Sequence, residues 1–456
     1  MSKIVKVLCA ILIFSTFLLA AVQSQQSDAV EQAFDRGKKM LPGLEKIRGL
    51  HFKRDVVMKV QSLEEFEAHL RKEIARQYGD DHGKSVMDAL HRLGLVDHPM
   101  DLGDVVSDLM KSQAAAHYSP KDNAYFLLMP EMPPAMLDLI SAHELFHALQ
   151  DQHFDLHTFA MSDVKAIQDN GDAAAARQSL VEGEATLVMT LYGVQSLTGM
   201  SLEQAMPLVA QQMKMQAAMS YPDMIKSIKL QADMMKGLGM EQSADSIDKM
   251  PRYFVESIQA AYLKGGAMVQ YIHGKQGWDG VDRLYKEPPS STEQILHPEK
   301  LVGDRDEPID VRLTELVKKA EKKDWRLLEE DVAGELGLFC YLDRWSADGG
   351  KTASSQAQGW GGDRYYFFRH AHDESAALVW RTEWDSPDDA EEFWKGYTAG
   401  LPERFEDAVN SDGPHHVWKI GKARVLQVLF DKQNKRVDII DADSRQALDY
   451  FSNLLQ

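Results

Sequence analysis

The feature that most restricts the fold is a change of pattern along the chain. From Ala173 to about Gly274 the residues read as almost uninterrupted helix. Helix starts fall at Ser201, where Gln204 completes a capping box, and at Pro222 in a first turn. Further on the pattern alternates: "DRYYFFRH", "AALVWRTEW", "HHVWKI", "ARVLQVLF" and "RVDIIDA" read as strands. "PDDAEEFWKGYTAGL" and "DSRQALDYFSNLL" read as helices between and after them. A chain that keeps helices and strands in separate stretches is α+β, and strands that follow one another closely pair antiparallel. The expected fold is a mostly helical domain with a small sheet, followed by an antiparallel α+β domain.

The small sheet comes from two short runs, "FKRDVVMKV" and "AYFLLMP". Between them "SLEEFEAHLRKEIARQY" reads as a helix, with Ser62 and Glu65 at capping-box spacing. "MDLGDVVSDLMKSQAAAHY" reads as a second helix, closed by the "SPKDN" turn. A further helix, Met136 to about Gln152, follows "EMPPAM". "RLTELVKKAEKKDWRLLEED" reads as a linker helix with a charged, solvated face. Eleven of the 22 methionines lie between Met189 and Met250, which suits adaptable packing between helices.

The first 24 residues stand apart. Lys3 and Lys6 form a basic start, Val7 to Val22 is an apolar run broken only by Ser15 and Thr16, and Ser24 offers a cleavage point. This is the pattern of a secretory signal peptide, so the mature chain is expected to be exported, periplasmic or secreted, with no stable membrane insertion. Expected boundaries are 1–24 for the signal, 25–300 for the helical domain, 301–335 for the linker region and 336–456 for the C-terminal domain. Only Cys340 lies beyond the signal, so no disulfide can form within the mature chain and its stability rests on core size. Seventy acidic against 51 basic residues give a net charge of −19, which argues against nucleic acid or an anionic membrane surface as partner.

The chemistry is concentrated in "SAHELFHALQDQHFDL". His143 and His147 are four residues apart on an expected helix, so both project from one face and can fill two corners of a tetrahedral zinc site. Glu144, beside the first ligand, is placed to take a proton from an activated water and pass it to a leaving amine. A third ligand must come from elsewhere. His153 has the spacing of the metzincin pattern HExxHxxGxxH, but Gln150 stands where that pattern needs a helix-breaking glycine. On an unbroken helix His153 points roughly 120° away from His147. Glu182 and Glu184 in "LVEGEATLVM" are the other candidates, on a second helix where Gly183 permits close backbone approach.

The pairing of "HELFH" with a later helical "EGEAT" resembles the gluzincin metallopeptidases, which include thermolysin and the zinc aminopeptidases. The wider set, with "PPSSTEQILHPEK" and "GWGGDRY", resembles exported bacterial proteins of this type; the specific motifs cover about residues 120 to 190. The resemblance implies a gluzincin-like catalytic domain with one Zn2+ per chain, held by His143, His147 and Glu182, with Glu184 as the alternative third ligand. It implies Glu144 as catalytic residue and a peptide or protein substrate, which the strand "AYFLLM" would hold by edge pairing. Related enzymes also supply an oxyanion donor from downstream of the third ligand. Here His297 is the candidate, with Tyr253, Tyr262 and Tyr271 competing for that role and helix closure as His297's other use. Two departures stand out. Thr186 occupies the place of an aspartate that orients a ligand histidine in thermolysin-like enzymes, and no GxMxN-type stretch precedes the helix, which favours endopeptidase action.

Overall fold

The computed structural model describes residues 26–105, 115–129, 132–160, 170–237, 250–406, 409–411, 417–421 and 423–455. The expected signal peptide lies outside them. Among the described residues no helix is long and apolar enough to cross a membrane.

Helix α1 (Gln26–Arg48) leads into β1 (Val57–Val60) and α2 (Leu63–Leu93), whose start is the expected Ser62–Glu65 capping box. Strands β2 (Ala116–Ser119) and β3 (Ala124–Leu127) complete a three-stranded sheet of order β1-β3-β2, with β1 parallel and β2 antiparallel to β3. The expected second helix is therefore corrected at its end. "AHYS" pairs with β3 in full register, and this pairing outweighs the helix preference of the alanines before it. The edge expected at "AYFLLM" is corrected too: β3 has partners on both sides, and the edge strands are β1 and β2.

Helix α3 (Pro134–Phe154) begins at Pro134 and ends at Asp155, whose φ of 50° stops it. Helix α4 (Gly171–Thr198) starts at Asn170, whose side chain accepts from Ala173 N, and ends at Gly199 with φ 71°. Both are apolar around most of their circumference, as helices buried on several sides must be. Helices α5 (Leu202–Ala217), α6 (Tyr221–Gly237), α7 (Arg252–Gln259) and α8 (Gly265–Lys286) follow, with a π-helical turn at Ala260–Lys264 before α8. α4 packs against α3 on one side and against the π-turn and α8 on another. Gly183 does permit close approach, but to this second neighbour: a Cβ there would lie 2.2 Å from Gly265 C, and one on Gly265 would lie 2.2 Å from Ser179 O.

The expected linker helix divides. α9 (Thr314–Glu321) stops, Asp324 turns the chain with φ 63°, and β4 (Trp325–Asp331) joins the second sheet. That sheet has seven strands in the order β4-β5-β6-β10-β9-β8-β7, all antiparallel, with β5 at Trp360–His370, β6 at Ala376–Trp384, β7 at Val409–Ser411, β8 at Val417–Ile420, β9 at Arg424–Asp431 and β10 at Arg436–Ala442. The protein is α+β, with the antiparallel sheet at its C-terminal end. Alternation divides the faces of the sheet: Tyr365 and Phe367 enter a core continuous with the helical region, while Tyr366 and Phe368 enter a smaller one under α9 and the last helix, α12 (Arg445–Leu455, after α10 at Gly334–Trp345 and α11 at Pro387–Ala399). Polar ties join the two parts as well. Arg92 of α2 bonds Asp441 of β10 at 2.8 Å, and Ser85 donates to Glu329 of β4 at 2.7 Å.

Candidate metal centre

Helix spacing brings Nε2 of His143 and Nε2 of His147 within 3.0 Å of each other on one face of α3. Oε2 of Glu182, from α4, lies 3.1 Å from the first and 3.4 Å from the second. Donors at about 2.0 Å from a tetrahedral zinc stand about 3.3 Å apart, so these three edges fit that ion. The ligand-type atoms of His143, Glu144 and His147 also lie within 4.8 Å of one another.

Two of the three donors are held from behind. Gln178, one turn before Glu182 on α4, donates to its Oε1 and leaves Oε2 facing the histidines. Gln150, three residues after His147, meets His147 Nδ1 with its Oε1 at 2.7 Å. Nδ1 of His143 has no hydrogen-bond partner among the described residues. Thr186 bonds the carbonyl of Glu182 in its own helix at 2.7 Å, so its hydroxyl does not orient either histidine ring.

Glu144 lies beside the three donors but has a different partner. Its Oε2 accepts from the backbone N–H of Tyr118 at 3.0 Å, and its Oε1 is buried with no partner among the described residues. Burial, then the charge of Glu182, pushes its carboxyl well above the ordinary range. Glu182 moves the other way: burial alone would raise it, but His147 and His143 hold it at about 2. His143 is lowered by burial, whereas for His147 the attraction of Glu182 outweighs burial and raises it. The two neighbouring carboxyls are thus shifted in opposite directions. The whole group is enclosed: relative exposures are 1% for His143, 0% for Glu144, 4% for His147 and 3% for Glu182.

The remaining candidates fall elsewhere. Helix α3 runs unbroken to Phe154, and His153 bonds the carbonyl of His51 at 2.8 Å, away from the donors. Glu184 is engaged by Arg48, by Tyr285 Oη at 2.6 Å and by Gln150 Nε2 at 2.7 Å. His297 closes its short helix and meets Glu335 at 2.9 Å. Tyr253 packs on Phe254, and Tyr271 lies under Lys275. Tyr262, on the π-helical turn, sets its ring 5.7 Å from that of His143. The sequence marks Gln150 only as the residue in place of a helix-breaking glycine, and gives Gln178, Tyr118 and Arg48 no role. The first two sit one helical turn from a ligand, a spacing legible in advance.

A family model described as a domain of unknown function (DUF8575) matches residues 325–451, the span from β4 into α12. It does not reach His143, His147 or Glu182. No curated protein and no solved structure matches the chain.

Proposed function

We propose that the chain is an exported zinc peptidase, in which His143, His147 and Glu182 hold one Zn2+ and Glu144 is the general base and acid. The observation that carries this reading is a donor set with tetrahedral edges beside a second carboxylate, that of Glu144, which keeps one oxygen unpartnered. An ion kept only for structure needs no such neighbour. The resemblance to gluzincins supports the same assignment.

Bound zinc supplies Lewis-acid polarisation of the scissile carbonyl and makes water more acidic. The chain's own residues do the rest. Tyr118 fixes Oε2 of Glu144, so Oε1 is the atom that takes a proton from the attacking water and later returns it to the leaving nitrogen. The outer edge of β2, which already presents Tyr118 N–H to Glu144, is where an extended peptide would pair. Of the residues considered as oxyanion donors, Tyr262 is the one against a ligand ring.

Burial favours a second reading. A group with no member more than 4% exposed also suits zinc held for structure in a non-hydrolytic binding or scaffold protein. Elemental analysis together with turnover of unfolded protein and a quenched peptide library separates the two. One zinc per chain with chelator-sensitive hydrolysis supports the peptidase. One zinc per chain with no hydrolysis, and a melting temperature that falls on chelation, supports the scaffold. Absence of zinc rejects both. N-terminal sequencing of the exported protein is expected to begin at Gln25.

A further inference from the structure

Gln150 occupies an unusual position for an amide. Its Nε2 faces three acceptors: Glu184 Oε2 at 2.7 Å, the hydroxyl of Tyr285 at 2.8 Å and the carbonyl of Val181 at 3.1 Å. Turning the amide over would set Oε1 against a carboxylate and a carbonyl, so the surroundings dictate the orientation. Oε1 therefore faces Nδ1 of His147, and an amide oxygen can only accept. Nδ1 must carry the proton, which leaves the lone pair on Nε2, the atom that faces His143 and Glu182.

Glu184 is fixed in turn. Tyr285 donates to its Oε2 at 2.6 Å, and Arg48 of α1 donates to its Oε1. Arg48 is 1% exposed, pairs also with Asp282 of α8, and lies 4.6 Å from the ring centroid of Trp278 and 5.8 Å from that of Phe154. Burying an arginine and a glutamate so completely is a poor route to stability, since apolar side chains of similar volume usually serve as well. The pair is better explained by what it orients. His143 has no counterpart to this arrangement: its Nδ1 has no partner among the described residues.

We propose that Gln150, Glu184 and Arg48 form a positioning relay that locks His147 in its Nδ1–H form and so prepares Nε2 as a metal donor. The metal side of this inference rests on the zinc reading above; the tautomer side does not.

Two measurements test it. In the metal-free wild type at alkaline pH, ring 15N shifts should show His147 protonated on Nδ1; protonation on Nε2 overturns the relay. In Co2+ titrations by competition, Gln150→Leu should bind about 10- to 100-fold more weakly than wild type. Gln150→His, which can accept from Nδ1 through one ring nitrogen while its other ring N–H faces Glu184, should lose clearly less than Gln150→Leu. Equal losses in the two variants, or no loss in Gln150→Leu, overturn the proposal. If Gln150→Leu does not fold, the wild-type tautomer decides. A wild type that shows the Nδ1–H form but binds no Co2+ supports the relay and overturns the zinc reading.

Discussion

The backbone N–H of Tyr118 donates to Oε2 of Glu144 at 3.0 Å, joining an edge strand to the helix of both histidines at the carboxylate itself. Glu144→Gln can keep this contact through its amide oxygen but cannot accept a proton from water. The variant should fold and retain zinc, and lose hydrolysis by about 10²-fold or more. Equal turnover of variant and wild type on an unfolded protein rejects the role given to Glu144.

Zinc content separates the ligands from their neighbours. Glu182→Ala should lose the ion, because Oε2 closes the donor set. His153→Ala should keep it, since that ring bonds a backbone carbonyl instead. Glu184→Ala should keep the donors but bind more weakly, about 10-fold or more, the usual effect of removing a group behind a ligand. Full zinc in Glu182→Ala with loss in His153→Ala would sink the assignment.

Gly183→Ala tests the helix crossing beside Glu182. The added Cβ would lie 2.2 Å from a backbone carbon of Gly265, and backbone cannot swing aside as a side chain can. The helices must separate, at a cost of about 2 kcal/mol or more. Denaturant unfolding should show that loss, and zinc content should fall with it because Glu182 rides on the displaced helix. Unchanged stability would mean that the two helices do not meet so closely.

The tie between the helical region and the sheet should be acid-sensitive. Burial alone would raise the Asp441 carboxyl, but Arg424 and Arg92 hold it well below the usual range. A carboxyl more acidic in the folded chain than in the unfolded one contributes stability in full above the unfolded value of about 4, and loses it as pH falls further. Asp441→Asn leaves two half-buried arginines short of a partner and should cost about 2 kcal/mol at pH 7. Urea midpoints between pH 7 and pH 3 should fall less steeply in the variant. Parallel curves would remove Asp441 from the account.

What could be read in advance was local. The spacing of His143 and His147 places two donors on one helix face, and the capping boxes at Ser62 and Ser201 mark real helix starts. Strand β2 was hidden because its residues follow alanines that favour helix, and only pairing with β3 makes them extended. Strand β4 was hidden because its charged residues suggest a solvated helix, whereas Glu329 and Asp331 turn inward to Ser85 and to Gly171 N. Arg48 had no local signal, since it meets Glu184 across 136 positions and Asp282 across 234.

Those separations set the order in which the protein can be made. A chain leaving the ribosome from its N-terminus presents Arg48 long before Glu184, Asp282 or Tyr285 exist to receive it. Helices α1 and α3 can form early, because their bonds are local, but the polar centre between them must wait until α8 has emerged. Until then His143, His147, Gln150 and Glu182 are all present, but Glu184 and Arg48 lack the Tyr285 and Asp282 that fix them. On the zinc reading, the last stage of maturation is therefore the fixing of the residues behind His147, and a chain cut short before Tyr285 would carry all three proposed donors without the groups that hold Glu184 and Arg48 in place.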